Sequence, residues 1–146
     1  MKLLLLISSL LLLAGCAPVM AGNTITTVAM TIYGEAADQD YASKYAVAST
    51  IWNRANGKPS RLSVVCLSRK QYSCWRNRVF TQKLPDLRKP LDRLAWRDCV
   101  TLASIMCDGS FLPSLNSRHY HEASITPRWS INMPMVASVG DHVFYK

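Results

Sequence analysis

The sequence predicts a mainly α-helical (α+β) domain that ends in a small extended region. Two observations lead to this prediction. Over three stretches before Gly109, apolar residues recur at steps of three and four, which is the spacing of an amphipathic helix. After Gly109 this spacing is lost, and short stretches alternate as strands do. We therefore expect three main helices followed by short extended pieces.

The chain begins with a segment that is typical of an export signal. Met1-Lys2 carries one positive side chain, and an unbroken apolar run follows from Leu3 to Leu13. This run is too short to serve as a permanent membrane-spanning helix. We therefore assign residues 1–15 to a signal peptide of the lipoprotein type and exclude them from the fold.

The end of this segment, Leu13-Ala14-Gly15-Cys16, resembles a bacterial lipobox. The resemblance implies cleavage before Cys16 and a lipid on that residue, which would anchor the exported protein at a membrane. The alternative is an ordinary signal peptide cut near Ala21. Because alanine and not aspartate follows Cys16, the resemblance implies a location at the periplasmic face of the outer membrane, in a host that has one. Residues 16–23 would then form a tether, and unchanged membrane association of a Cys16→Ser variant would contradict the anchor.

Residues 24–146 are long enough to form one domain with its own core. The first predicted helix ends near Glu35, where its apolar period stops. Its apolar stripe comprises Ile25, Val28, Ala29 and Ile32.

Turn and capping residues separate the other two helices. The second begins after Asp38-Gln39-Asp40 and ends at Asn56-Gly57, with Pro59 beyond. The third opens after Pro90 and ends at Asp108-Gly109. We therefore expect both helices to have sharp boundaries.

The remaining segments are irregular or extended. An irregular stretch between the second and third helices contains Gln71-Tyr72-Ser73-Cys74-Trp75. Arg118-His119-Tyr120-His121 alternates like a short strand, and the stretch from Val139 to Tyr145 also favours an extended conformation.

The chain is basic, with 17 Lys and Arg residues against nine Asp and Glu residues. A field of this sign attracts polyanions. Nucleic acid is not expected as a partner of an exported protein, whereas cell-wall polymers and anionic lipid are present in the cell envelope. The alternative is a solvated basic surface with no single partner. The excess lies mainly in one segment, on Arg69, Lys70, Arg76, Arg78, Lys83, Arg88 and Lys89.

Four cysteines remain once Cys16 is set aside: Cys66, Cys74, Cys99 and Cys107. An even number in an exported chain indicates two disulfides. The spacing permits local pairs, Cys66 with Cys74 and Cys99 with Cys107, and it permits cross-pairing equally. Because no paired C-x-x-C motif is present, we favour structural disulfides over a zinc site.

The H-x-H motif is one candidate for a functional site. His119 and His121 point to the same side of an extended strand, as two zinc ligands would, and Glu122, Asp141 or His142 would complete the set. A metal-activated water would make the protein a peptidase or an amidase.

Glu35 is the second candidate. It follows Tyr33-Gly34 and precedes Ala36, near the end of an apolar helix. Shielding from water destabilises a charged carboxylate and favours the protonated form that a general acid needs. The alternative is a surface glutamate in a helical turn. A cysteine nucleophile is disfavoured because free reactive thiols are rare in an oxidising compartment.

Four motifs follow one another in register along the chain. Their order resembles that of the SleB-like cell wall hydrolase family, which includes the catalytic domain of spore-cortex lytic enzymes, and the resemblance extends from about Thr27 to Tyr145. The motifs are Ile32-Tyr33-Gly34-Glu35-Ala36, Ala46-Val47-Ala48 with Asn53-Arg54, Gln71-Tyr72-Ser73-Cys74-Trp75, and His119-Tyr120-His121 with Pro127 and Trp129.

The resemblance implies a lysozyme-like helical catalytic domain over residues 24–146. It implies cleavage of the peptidoglycan strand between N-acetylmuramic acid and N-acetylglucosamine by a lytic transglycosylase, with Glu35 as its catalytic acid. We expect a monomer that needs no cofactor or metal, with the basic segment near the carboxylates of the wall. The groove for the strand would be lined by Tyr33, Gln71, Tyr72, Trp75, His119, Tyr120 and His121.

The chain departs from the family at Asp38-Gln39, where members commonly have Gly-Glu. A carboxylate that would serve as the second acid of a hydrolase is therefore missing, which favours a mechanism with one acid. Glu122 stands at a position that is usually asparagine-like. Two alternatives remain: a zinc amidase or peptidase that uses His119 and His121, and a lipoprotein that binds the wall without cutting it.

Overall fold

The computed structural model describes residues 22–146. The predicted signal peptide, Cys16 and most of the tether lie outside this range. Four α-helices lie between Thr24 and Cys107, and a three-stranded antiparallel sheet follows them. Among residues 22–146, no helix is both long enough and apolar enough to cross a membrane.

Helix α1 (Thr24–Ala36) lies at the centre of the domain. Asn23 caps its first turn, because the Asn23 side chain accepts a hydrogen bond from the amide of Thr26 at 2.8 Å. Val28, Ala29 and Ile32 of the predicted apolar stripe are fully buried in the core, whereas Ile25 is exposed. Helix α1 packs most extensively against α4 and also contacts α2 and α3.

Helices α2 (Tyr41–Arg54) and α4 (Pro90–Cys107) complete the main helical layer. The Asp40 side chain accepts a hydrogen bond from the amide of Ser43 at 2.8 Å, and Pro90 occupies the first turn of α4, where its missing N–H costs nothing. All three predicted helices are thus confirmed. Asn56 and Gly57 end α2 with positive φ angles of 54° and 67°, as the Asn-Gly pair predicts.

The irregular segment contains a short helix and a β-hairpin that the sequence pattern did not predict, because both are too short to show a period. Helix α3 (Leu62–Cys66) follows a 3-10 turn, and strands β1 (Trp75–Arg76) and β2 (Val79–Phe80) form a hairpin. Trp75 pairs with Phe80 across this hairpin.

The C-terminal sheet contains β3 (His119–Glu122), β4 (Met135–Val139) and β5 (His142–Tyr145) in the order β3-β5-β4. A reciprocal contact attaches it to the helices. The Gln39 side chain donates to Asp141 at 2.9 Å and accepts from the Asp141 amide at 3.1 Å. Gln39 therefore connects the turn after α1 to the turn between β4 and β5.

The four cysteines do not pair in this structure. Cys66, Cys74, Cys99 and Cys107 are all free thiols, which contradicts the predicted disulfides. The Cys99–Cys107 pair is excluded by geometry, because eight residues of helix rise about 12 Å, and a disulfide spans at most about 7 Å between Cα atoms. Burial raises the pKa of the Cys66 and Cys99 thiols to about 12, so both stay protonated.

Candidate active site

A groove of about 1130 Å³ lies between the end of α1, the β1–β2 hairpin and the sheet. Its floor includes Gly34 and Glu35, its first wall is the segment 67–82, and its second wall comprises β3 and residues up to 129. A smaller recess of about 360 Å³ adjoins it and is also lined by Glu35.

Glu35 is half-buried in the last turn of α1, where the helix faces the groove. The Tyr120 hydroxyl donates a hydrogen bond to Glu35 Oε2 at 2.8 Å. The other oxygen, Oε1, is shielded from solvent and has no hydrogen-bond partner. One oxygen is therefore held in position by Tyr120, while the other makes no hydrogen bond to a described residue.

Tyr120 reaches Glu35 because side chains alternate along β3. His119 and His121 point to one face of the strand and Tyr120 to the other, where its ring packs edge-on against His142 at 5.2 Å and near Phe144 at 5.4 Å. Burial, and then the nearby Glu35 carboxylate, raise the pKa of Tyr120 well above its usual value. Tyr120 therefore stays a protonated donor to Glu35.

We expect Tyr120→Phe to lower kcat/KM on peptidoglycan, the substrate that the family resemblance implies, roughly 10- to 100-fold, because a hydrogen bond to a carboxylate contributes about 1.5–3 kcal/mol. The phenyl ring preserves the packing on His142 and Phe144. The measurement is the rate of soluble fragment release from purified sacculi. Tyr45→Phe is the matched control, since the Tyr45 hydroxyl donates to the Leu112 carbonyl at 2.7 Å away from the groove. Equal rates for the two variants would show that Tyr120 does not position Glu35.

Gln71, Tyr72 and Trp75 line the first wall, as predicted. The Trp75 indole N–H donates to Thr31 Oγ1 at 2.8 Å, which fixes the ring against α1. Tyr72 is buried, and the Arg54 guanidinium lies 5.3 Å from its ring centroid, within the range of a cation–π contact. Gln71 is exposed at the rim.

His121 belongs to the second wall. Its Nδ1 donates to the Glu122 carbonyl at 2.7 Å, which leaves Nε2 to accept from the Tyr145 hydroxyl at 3.0 Å. The ring packs edge-on against Trp129, whose own ring is 43% exposed and faces the groove. His121 therefore supports an aromatic surface that suits the face of a sugar ring.

Two of the predicted groove residues lie elsewhere. Tyr33 is two residues before Glu35, a rotation of about 200° around the helix, so its ring is buried against Trp96 on the opposite side of α1. His119 lines a shallow neighbouring recess with Arg54 and Arg118, and its ring contacts Trp129 from outside the groove.

The groove also contains residues that were not predicted to line it, among them Arg54, Trp129 and His142. The Asn53-Arg54 and Trp129 positions were visible in the family motifs, but nothing in the sequence distinguishes Trp129 from a core tryptophan. His142 is 5% exposed, and its Nδ1 has no hydrogen-bond partner. Only the pairing of β3 with β5 brings it beside Tyr120.

The zinc alternative has no support in this geometry. Residues 22–146 contain no group of three or more His, Cys, Asp or Glu side chains arranged to hold a metal ion. His121 also uses both ring nitrogens in hydrogen bonds within the protein.

Two solved structures share this fold. The catalytic domain of the Bacillus cereus SleB protein has a TM-score of 0.58 and 21% identity, covering 88% of this chain and 93% of that chain. The catalytic domain of the germination-specific lytic transglycosylase SleB from Bacillus anthracis has a TM-score of 0.56 and 21% identity, covering 86% and 96%. These similarities confirm the predicted lysozyme-like α+β architecture.

The amino-acid sequence itself places the chain in a family. Residues 38–145 match the model of the cell wall hydrolases, and the chain belongs to this family, as predicted. The protein is therefore an enzyme of cell wall degradation. The match begins just after Glu35, so it says nothing about Glu35 itself. A catalytic role for Glu35 must be argued from the geometry of the groove. No curated protein is significantly similar in sequence.

Proposed function

We propose that this protein is a peptidoglycan lytic transglycosylase that cleaves between N-acetylmuramic acid and N-acetylglucosamine, with Glu35 as both acid and base. One observation carries the proposal: the Glu35 carboxyl lies in the groove with Oε2 held by Tyr120 and Oε1 without a partner. The similarity to a solved structure named as a lytic transglycosylase supports the same reaction.

The reaction needs one carboxyl group. Protonated Glu35 gives its proton to the glycosidic oxygen as the bond from that oxygen to C1 of the muramic residue breaks. The Glu35 carboxylate then accepts the proton of the muramic C6 hydroxyl while the C6 oxygen bonds to C1. The products are a 1,6-anhydromuramic end and a free 4-hydroxyl, and Glu35 is protonated again.

Other carboxylates near Glu35 have different positions. Glu122 and Asp38 are exposed, and Asp141 is held by Gln39. Where the family commonly has a glutamate, this chain has Gln39, whose amide forms that structural contact. An ordinary glycosidase would need a second carboxylate as base or nucleophile. The Gln39 contact thus favours the route with one acid.

The groove suits a linear polymer of sugars. Trp129 and Trp75 present aromatic surfaces on opposite walls, and Glu35 lies on the floor between the walls. Aromatic rings pack well on the apolar faces of sugars while hydroxyls bond to polar neighbours. We propose that the glycan strand lies along this groove.

Mass spectrometry of digested sacculi tests the reaction. We expect the domain from residue 22 onward to release fragments with 1,6-anhydromuramic ends, and Glu122→Gln to reduce this release less than about five-fold because Glu122 takes no part in proton transfer. Reducing muramic ends would show hydrolysis instead. Free stem peptides, or a loss of activity with a chelator, would indicate an amidase and contradict the proposal.

A further inference from the structure

One wall of the groove is strongly basic. Arg69, Lys70, Arg76 and Arg78 all line it, and we call these four residues the basic arm. All four are exposed. The ion pairs in the part of the chain that the structure describes are Arg88 with Asp86 and Arg97 with Asp98, and neither involves the arm. The arm therefore presents four positive charges that no acid of residues 22–146 neutralises.

The backbone of the arm adopts conformations that side chains usually avoid. Lys70, Asn77 and Arg78 have positive φ angles of 62°, 50° and 65°. Asn77 and Arg78 form the two-residue turn between β1 and β2, a turn whose second position favours glycine. An arginine at such a position opposes local backbone preference, and backbone strain of this kind is concentrated at functional sites.

The charge of the groove changes sign across Glu35. Asp38 and Asp141 line the adjoining recess and not the main groove, the basic arm lines only the main groove, and Glu122 lies at the border of the two. An anionic group on a bound ligand is therefore attracted toward the arm and repelled from the recess. This asymmetry would also set the direction of a bound strand.

We propose that the basic arm binds the carboxylates of the stem peptides on the glycan strand, so that the enzyme prefers peptide-bearing strands to peptide-free glycan. This inference rests on the proposed function. Stem peptides are attached to muramic residues, beside the bond that Glu35 would break, and they carry the carboxylates of the polymer. Arginine is well suited to these groups because its planar guanidinium bonds to both carboxylate oxygens.

The test compares two substrates: purified peptide-bearing strands free of phosphate polymers, and the same strands stripped of stem peptides with an amidase, after which the lactyl carboxylates that the amidase exposes are converted to neutral amides. We expect wild type to cleave peptide-bearing strands about ten-fold faster in kcat/KM, and Arg76→Gln/Arg78→Gln to lose most of this preference. Salt at about 0.5 M should reduce the preference of wild type, because the arm is exposed and its charges are screened. Lys89→Gln/Arg97→Gln removes two charges outside the groove and should keep the preference.

Binding separates this inference from the proposed reaction. In a Glu35→Gln background, co-sedimentation should be tighter with peptide-bearing than with stripped sacculi, and Arg76→Gln/Arg78→Gln should abolish the difference. Equal binding and equal cleavage of the two substrates by wild type would overturn the role of the arm and leave the reaction intact. A peptide preference in binding without anhydro products would overturn the reaction and leave the arm intact. An equal loss of binding to both substrates in the double variant would assign the arm to general attraction and contradict the inference.

Discussion

Glu35→Gln is expected to lower the release of anhydromuropeptides roughly 10²- to 10⁴-fold, the usual contribution of a general acid. The amide has nearly the shape of the carboxyl group, and its oxygen still accepts the hydrogen bond from Tyr120. It has no acidic proton to give to the glycosidic oxygen. The measurement is the initial rate of fragment release from purified sacculi, with products identified by mass spectrometry.

Two controls distinguish a loss of the acid from a loss of folding or of substrate binding. The Glu35→Gln protein should keep its melting temperature within a few degrees and should still co-sediment with sacculi, because its contacts in the fold are preserved. Glu35→Asp shortens the side chain and moves the acid from its position, so partial activity is expected. If Glu35→Gln kept more than half of the wild-type rate, Glu35 would not be the catalytic acid.

Gly34→Ala is expected to destabilise the domain by about 1–3 kcal/mol, the usual cost of adding a methyl group to a packed core. A Cβ at Gly34 would lie 2.5 Å from Cys74 Cβ and 3.1 Å from Phe80 Cε2. Alanine favours a helix over glycine by about 1 kcal/mol, but the contact with Cys74 Cβ is too short to be relieved without moving the hairpin.

Thermal unfolding measures this effect. A drop in melting temperature of roughly 3–10 °C is expected for a domain of this size. Activity should fall with it, because Cys74 precedes the groove residue Trp75 and a displaced hairpin would misalign the wall. Gly22→Ala is the matched control, since no atom lies within 4 Å of a Cβ built there. An unchanged melting temperature for Gly34→Ala would mean that α1 and the hairpin are not in close contact.

The long helices were predictable because their causes are local. Apolar spacing and N-cap side chains such as Asp40 define α2, and Pro90 marks the start of α4. Helix α3 and the β1–β2 hairpin were not predictable, because elements of two to five residues leave no period to detect. The disulfide prediction was based on the number and spacing of the cysteines. It did not consider that a helix between Cys99 and Cys107 holds these two residues too far apart to pair.

The candidate site was predictable in part. Glu35, Gln71, Tyr72, Trp75, Tyr120 and His121 line the groove as predicted. Tyr33 does not, although the helical period alone places it on the face opposite Glu35. His142 was considered only as a possible zinc ligand, because its place beside Tyr120 comes from the pairing of β3 with β5.

By itself, the sequence determined the helical class and the family and singled out Glu35 as a candidate acid, since each depends on side chains near one another along the chain. The tertiary structure alone decided the partner of the Glu35 carboxyl group, because Tyr120 lies 85 residues beyond Glu35 and the two meet only when the sheet packs on the helical layer. It likewise placed the unpaired charges of the basic arm in one groove with Glu35. Contacts between residues far apart in the chain depend on how whole elements pack, so a local sequence pattern cannot predict these contacts.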